Sequence, residues 1–174
     1  AMMGEGGCAR GDKSAQAIRM AKVAVRTAER DMRVMQVHSD ICQADAVDAA
    51  WPKADVVLMN PPFRSWERMT RSEREWVREV TNGLGSGRPD LSVGFVERAI
   101  RALHPSGALA TLVPAGILAS ASLSKWRDGL IQRATPTLVA VLGEHGLFQH
   151  AIVNVGILAL QNNASVAAAQ PRTH

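Results

Sequence analysis

The most informative stretch of the sequence is Asn60-Pro61-Pro62-Phe63, which directly follows the apolar run Val56-Val57-Leu58-Met59. Proline lacks an N–H and holds the residue before it extended, so the pair ends a strand and leaves the Asn60 side chain beyond its end. The amide oxygen of Asn60 and the carbonyl of Pro61 are two acceptors, and Phe63 adds a flat aromatic face. This set predicts a site for a planar group that bears an NH2, such as a flipped or single-stranded base.

The chemistry that such a site favours is attack by an amine. An aromatic amine is a weak nucleophile because its lone pair is delocalised into the ring. Two acceptors that bind its N–H groups pull the nitrogen toward tetrahedral geometry and localise that pair. No strong base is needed first, because the proton becomes acidic once the new bond has formed. The alternative is a plain strand-to-loop turn, where asparagine and proline are common; the apolar strand in front favours the functional interpretation.

Six arginines and four glutamates follow this stretch. They are Arg64, Arg68, Arg71, Arg74, Arg78 and Arg88, interleaved with Glu67, Glu73, Glu75 and Glu79. Such mixing is typical of a solvated helix with ion pairs between residues four apart, and we favour that interpretation. The alternative is a surface that faces phosphate groups. The net charge of +4 is only mildly favourable to a polyanionic partner.

Strand and helix patterns alternate along the chain, which predicts an α/β fold with a mostly parallel sheet. Helices are predicted at 14–30, 72–80, 91–103 and 124–133, and strands at 33–38, 55–59, 108–113, 137–142 and 152–160. Residues 82–87 form a glycine-rich loop, and residues 104–107 are predicted to stop the third helix. The last two strands are close enough in sequence to pair antiparallel. Ligands bind at the carboxyl ends of strands in such sheets, and Asn60 follows such an end.

With these elements in place, Asn60-Pro61-Pro62-Phe63 resembles the Asp/Asn/Ser-Pro-Pro-Tyr/Phe/Trp motif of S-adenosylmethionine-dependent amino-methyltransferases. Asparagine first and phenylalanine last most resemble the N6-adenine DNA methyltransferases of restriction-modification systems. The resemblance covers about residues 11–160. It implies a Rossmann-like class I methyltransferase sheet with a C-terminal antiparallel strand, S-adenosylmethionine as cofactor and DNA as partner. The residues that it implies to be catalytic are Asn60, Pro61, Pro62 and Phe63, and the candidate DNA contacts are Arg64, Arg68 and Arg71.

The same resemblance implies cofactor contacts outside this stretch. Asp12, before the first predicted helix, is similar to the acidic residue that binds the ribose hydroxyls of the cofactor. Asp40, directly after a predicted strand, is similar to the aspartate that contacts the cofactor adenine, and Asp45 is the alternative. Asn60 is the third cofactor-binding candidate. Without the resemblance, Asp12 also suits a helix N-terminus and Asp40 a turn.

One element of the family is missing from its expected place. A glycine-rich loop of the kind Asp-Pro-x-x-Gly-x-Gly is expected about 20 residues before Asp12, but only eleven residues precede it. We therefore predict that the first strand and this loop are lacking.

The sequence leaves three possible functions. The first is an N6-adenine DNA methyltransferase. The second is a truncated or split fragment, inactive alone, that acts only with a partner chain or as a homo-oligomer. A third is a methyltransferase of RNA guanine or of protein glutamine, although the glutamine enzymes tend to carry tyrosine where Phe63 stands.

Composition limits the class of protein. The chain has 174 residues, 47% of them hydrophobic, which suits one methyltransferase-like domain at residues 1–163, with the small polar residues 164–174 as a disordered tail. Two cysteines are too few for a disulfide framework or a thiolate zinc site, so no metal is predicted. No apolar run reaches about 18 residues, and the N-terminus lacks the core of a secretory signal, so no membrane partner and a cytoplasmic location are predicted.

Overall fold

The computed structural model describes residues 10–11, 19–20, 23, 41–42, 44–84, 87–142 and 154–163. The chain divides into two compact units, Ala1–Pro52 and Lys53–His174. In the first unit, β1 (Arg10–Gly11) pairs in parallel with β2 (Ile41–Cys42). Residues 19, 20 and 23 are helical, as predicted for 14–30. The predicted strand at 33–38 and the predicted tail at 164–174 lie outside the described residues.

The second unit is built on a four-stranded sheet with the order β3-β4-β6-β5. Its strands are β3 (Ala54–Met59), β4 (Leu103–Pro114), β5 (Ala134–Leu142) and β6 (Val155–Asn162). Strand β3 runs parallel to β4, whereas β6 is antiparallel to both β4 and β5. The α/β class and the antiparallel pairing of the last two strands are therefore confirmed. This sheet is mixed, with one parallel pair and two antiparallel pairs.

Four α-helices are described in the second unit: α1 (Arg71–Val80), α2 (Leu91–Ala102), α3 (Ala115–Ala119) and α4 (Ser124–Arg133). Short 3-10 turns precede α1 at Trp66–Arg68 and α4 at Ala121–Leu123. The bounds of α4 are those predicted from the sequence. Helix α3 and both short turns were not predicted, because each is too short to show a helical period. Among the described residues, no helix has the length and apolarity needed to cross a membrane.

Two strands begin several residues earlier than the sequence indicates. Strand β4 begins at Leu103, and so the predicted helix stop at 104–107 is strand instead. Gly107 makes this pairing possible, because a Cβ atom there would lie 2.9 Å from the main-chain oxygen of Asp55 on β3. Strand β5 begins at Ala134 and includes Pro136, where the register shifts. Proline is tolerated there because β5 is an edge strand of this sheet and the ladder is irregular at that point.

The two faces of this sheet differ in burial. The covered face, formed by Leu109, Val113, Leu158 and Leu160, is buried. Helix α2 contacts β4 and α4 contacts β5, and their buried side chains complete the core. The open face, formed by Val56 and Leu58 of β3 with Ala108 and Ala110 of β4, leaves Val56 58% and Leu58 76% exposed.

Candidate active site

The candidate acceptor residues begin where β3 ends. Met59 is the last residue of β3 in the ladder with β4, and Asn60 follows outside it. Asn60 and Pro62 are exposed, Phe63 is partly buried and Pro61 is buried. Because β3 is parallel to β4, Asn60 lies at the carboxyl edge, where α/β sheets bind ligands. The buried Pro61 anchors the turn in the protein while the amide before it faces solvent.

An open groove of about 420 Å³ lies beside Asn60. Its lining is mostly aliphatic and consists of Leu58, Met59, Asn60, Ala110, Thr111, Leu112 and Ile157. The hydroxyl of Thr111 donates to the main-chain oxygen of Leu112 at 2.9 Å, and so it is already engaged. Asn60 therefore supplies the amide group of an otherwise apolar groove. An apolar wall with one polar amide suits a flat, weakly polar group that needs orientation by a hydrogen bond.

The segment after Phe63 is organised around Trp66, which is buried. Arg74 donates from Nε to the main-chain oxygen of Trp66 at 2.9 Å, and its guanidinium lies 5.8 Å from the ring centroid. The Arg78 guanidinium lies 4.8 Å from the same centroid, which is also a cation–π distance. The sequence interpretation did not include Trp66, although an aromatic residue among arginines is a signal of such stacking. Arg74 and Arg78 thus hold this segment together.

The three arginines predicted to contact DNA differ in their surroundings. The Arg64 guanidinium pairs with Glu73, and its side chain is 39% exposed. Arg71 donates from Nε to Glu75 at 2.8 Å, but its side chain remains 92% exposed. Arg68 is exposed, and no described side chain pairs with it. Ion pairing between residues four apart on the helix, the interpretation that the charge pattern favoured, is confirmed at Arg71, whereas Arg64 reaches Glu73 from nine positions away.

Helix α1 begins with a capping box that the sequence analysis did not use. The Thr70 hydroxyl accepts from the main-chain N–H of Glu73 at 3.2 Å, and a Glu73 carboxylate oxygen accepts from the N–H of Thr70 at 2.8 Å. The spacing Thr-x-x-Glu is the known signal for this arrangement. Burial raises the pKa of the Glu73 carboxyl, but hydrogen bonds from Thr70 and Arg64 outweigh burial and hold the pKa below its ordinary value.

The acidic residues predicted to bind the cofactor lie in the first unit. Asp12 and Asp40 are outside the described residues. Asp45, the alternative to Asp40, is described: its carboxylate accepts from the main-chain N–H of Val47 at 3.1 Å and so stabilises its own turn. In the described part of the chain, no three His, Cys, Asp or Glu side chains form a group that could hold a metal ion.

The sequence matches one family model. The model of the Eco57I restriction-modification methylase family matches residues 15–148, which is more than half of the 174 residues. No curated protein sequence matches the chain significantly.

Several solved structures share the fold. One, assigned to the class I S-adenosylmethionine-dependent methyltransferases and from Listeria monocytogenes, is 20% identical with a TM-score of 0.60, over 94% of this chain and 46% of that one. The M protein of the type I restriction enzyme EcoKI is 19% identical with a TM-score of 0.61, over 90% and 31%. The methyltransferase subunit of a type I restriction-modification system from Streptococcus thermophilus is 19% identical with a TM-score of 0.63, over 89% and 34%.

These similarities show a Rossmann-like class I methyltransferase fold. The chain spans less than half the length of each of these three solved structures.

Proposed function

Because this chain belongs to the Eco57I restriction-modification methylase family, we propose that it takes part in methyl transfer from S-adenosylmethionine to the N6 amine of adenine in DNA. Membership of this family implies S-adenosylmethionine as the cofactor. The observation that carries the proposal is the placement of Asn60. Its exposed amide follows a parallel strand at the carboxyl edge, lines an open apolar groove and is followed by Pro61, Pro62 and a partly buried Phe63.

Three residues of the turn bind the base in the proposal, and Pro62 restricts the backbone between them. The Asn60 side-chain oxygen accepts one N–H of the adenine amine, and the Pro61 carbonyl accepts the other. Phe63 stacks on the base after it has left the duplex. Both acceptors localise the lone pair of the amine nitrogen and orient it toward the methyl group. Such positioning accounts for much of the rate gain in a methyl transfer.

No separate base has to remove a proton from the adenine amine before the nitrogen attacks. When bound, the cofactor would supply an electrophilic methyl group on a sulfonium. The amine nitrogen would accept this methyl group through its lone pair, and the electrons of the C–S bond would stay on sulfur. The nitrogen then carries a positive charge, and one of the protons held by Asn60 and Pro61 is lost to solvent.

The other candidate site residues enter the proposal with unequal support. Asp12 and Asp40 are proposed to bind the ribose and the adenine of the cofactor. Arg68 and Arg71 are the better supported candidates for phosphate contact because both are exposed. Arg64 remains a candidate, but its guanidinium is already paired with Glu73. The family match favours DNA over RNA guanine and protein glutamine as the substrate.

A second candidate is a fragment that acts only with a complementing chain or a second copy of itself. The observation in its favour is the exposure of Val56 and Leu58 on β3, which is an edge strand of the described sheet. Adjacent exposed aliphatic residues are typical of contact surfaces. Calorimetry with S-adenosylmethionine separates the two candidates. Micromolar binding by this chain supports a complete site, and no detectable binding supports the second candidate.

Asn60→Ala tests the proposed role in whichever assembly transfers methyl groups. We expect labelled methyl transfer to adenine to fall by about 100-fold, because one of two acceptors for the amine is lost. Asn163→Ala is the matched control, since Asn163 is an exposed asparagine that follows β6, at the end of the sheet opposite to Asn60. Near wild-type transfer by Asn60→Ala, or label on RNA or glutamine instead of adenine, would contradict the proposal.

A further inference from the structure

Two arginines of α1 converge on one aromatic ring. The guanidinium carbons of Arg74 and Arg78 lie 5.8 and 4.8 Å from the centroid of the Trp66 ring, which is buried. These arginines are four residues apart on the helix, where side chains are neighbours and like charges repel each other. The attraction of each guanidinium to the ring therefore holds two positive charges together against their repulsion.

The four glutamates between Phe63 and Arg88 do not neutralise these two charges. Three of them pair with other arginines, and Glu79 forms no ion pair among the described residues. The three pairs are Arg64 with Glu73, Arg71 with Glu75 and Arg88 with Glu67. Arg74 donates instead to the main-chain oxygens of Trp66 and Glu67, at 2.9 and 3.1 Å. No hydrogen bond or ion pair within the described part of the chain engages the guanidinium of Arg78, which is exposed.

The chemistry of this pair suits a phosphate group. A guanidinium that lies on an aromatic ring uses its flat face, and the N–H groups at its edge stay available to bind an oxyanion through two bonds. Arg74 is fixed by its bonds to the main chain, so little of its conformational freedom is lost when an anion binds. An anion bound by both guanidiniums also offsets the repulsion between them.

The pair is within reach of a nucleic-acid strand bound at the candidate acceptors. Trp66 begins the short 3-10 turn that ends at Arg68, an exposed candidate for phosphate contact. Asn60 is six residues before Trp66, and six residues span at most about 22 Å. Successive phosphates of one strand are about 3.4 Å apart along a duplex. A strand that places a base at Asn60 therefore has phosphate groups within reach of Trp66.

We propose that Arg74 and Arg78, held on the Trp66 ring, form a further binding site for backbone phosphate of DNA. The identification of DNA as the source of the phosphate rests on the proposed function. A purely structural role, in which the two arginines only cover Trp66, leads to a different expectation. It predicts a change in stability without any change in the salt dependence of DNA binding.

The salt dependence of DNA binding separates these two roles. Fluorescence anisotropy of a labelled DNA duplex, titrated with the full chain at several NaCl concentrations, gives the slope of the logarithm of the binding constant against the logarithm of the salt concentration. This slope reports the number of phosphates contacted. We expect Arg78→Gln, which keeps an aliphatic stem over Trp66, to reduce the slope by about 0.9 and to weaken binding about tenfold near 0.1 M NaCl.

Two further variants make the result specific to the guanidinium. Arg78→Lys retains the charge but lacks the planar fork, so the slope should stay at the wild-type value while affinity falls by less than in Arg78→Gln. Lys125→Gln removes an exposed charge from α4, which contacts β5, the strand farthest from β3 in the sheet. This matched control should leave both slope and affinity unchanged.

Three outcomes would overturn the proposal. They are an unchanged slope in Arg78→Gln, an equal decrease in Lys125→Gln, and no binding of the duplex by the wild type. Because the titration needs neither cofactor nor methyl transfer, its result is independent of catalysis. If adenine is not methylated and the Arg78 effect still holds, the proposed function fails while the phosphate site stands.

Discussion

The two faces of the four-stranded sheet distribute apolar surface in opposite ways. On the covered face, Leu109 and Leu160 lie opposite each other and are each 1% exposed. On the open face, Leu58 lies opposite Ala110 and remains largely exposed. Burial of a leucine side chain contributes roughly 1.5–3 kcal/mol, so the covered face provides most of the hydrophobic stability of this sheet. The open face, which includes Leu58 and Ala110 of the groove beside Asn60, contributes little to folding and is accessible to ligands.

The covered side also satisfies its buried charge internally. Glu97 of α2 is 1% exposed. Its carboxylate accepts from Trp126 Nε1 at 2.9 Å and from two guanidinium nitrogens of Arg133 at 2.9 and 2.7 Å. These bonds join α2 to both ends of α4. Because hydrogen bonds to a buried charge are directional, this network fixes the position of α2 relative to α4. Aliphatic contacts, which have no preferred direction, do not fix it in this way.

Glu97→Ala is predicted to have a larger effect than the variants at Glu73 and Leu58. Removal of the carboxylate leaves Trp126 Nε1 without its acceptor inside the core and Arg133 without its partner, and it opens a cavity. We expect the free energy of unfolding to fall by about 3 kcal/mol, measured by urea denaturation at pH 7. Glu97→Gln retains one acceptor and should lose less. A loss below about 1 kcal/mol for Glu97→Ala would show that the covered side does not depend on this network.

The sequence predicted those parts of the fold that depend on neighbouring residues. Helix α4 was predicted with its observed bounds because its pattern is local. The resemblance to restriction-modification methylases, based on Asn60 to Phe63, is confirmed at the level of the family. The early start of β4 was missed because Pro105 and Gly107 are typical of a stop. The close approach of Gly107 to β3 became visible only when the two strands were paired.

The same holds for the candidate site: its local features could be predicted from the sequence, and its contacts between distant residues could not. Its acceptors and its aromatic ring are consecutive residues, and therefore their chemistry could be read directly. The bonds that fix the turn join Arg64 to Leu91, and the network on the covered side joins Glu97 to Arg133. No local spacing encodes such pairs, because they depend on how helices pack in three dimensions. Asp12 and Asp40 remain predictions, since they lie outside the described residues.

An effect of intermediate size is expected at Glu73, which lies in the first turn of α1 and pairs with Arg64, the residue after Phe63. Its folded-state pKa is lowered, so its contribution to stability is present above the ordinary glutamate pKa of 4.5 and is lost as the pH falls through the folded-state pKa. Glu73→Gln should therefore cost about 1 kcal/mol near pH 7 and flatten the loss of stability in acid. Thermal unfolding from pH 7 to pH 2 measures both effects.

Glu75→Gln is the matched control for this prediction. Glu75 lies on the same helix and also pairs with an arginine, but both side chains of that pair are largely exposed. Exposed pairs contribute little to stability, so this variant should follow the wild-type curve closely. If the two variants gave the same pH profile, the capping box and the Arg64 contact would not account for the behaviour of Glu73.

The smallest effect is expected on the open face, at Leu58→Ala. Because three quarters of the Leu58 side chain is in water, its truncation removes few contacts, and we expect a change within about 0.5 kcal/mol in the free energy of unfolding. Leu160→Ala makes the same chemical change on the covered face, where it should cost about 2–5 kcal/mol. Urea denaturation of both variants measures the difference between the faces directly. A cost for Leu58→Ala that approaches that of Leu160→Ala would mean that the open face is covered in solution, and the accessibility of the groove beside Asn60 would then have to be reconsidered.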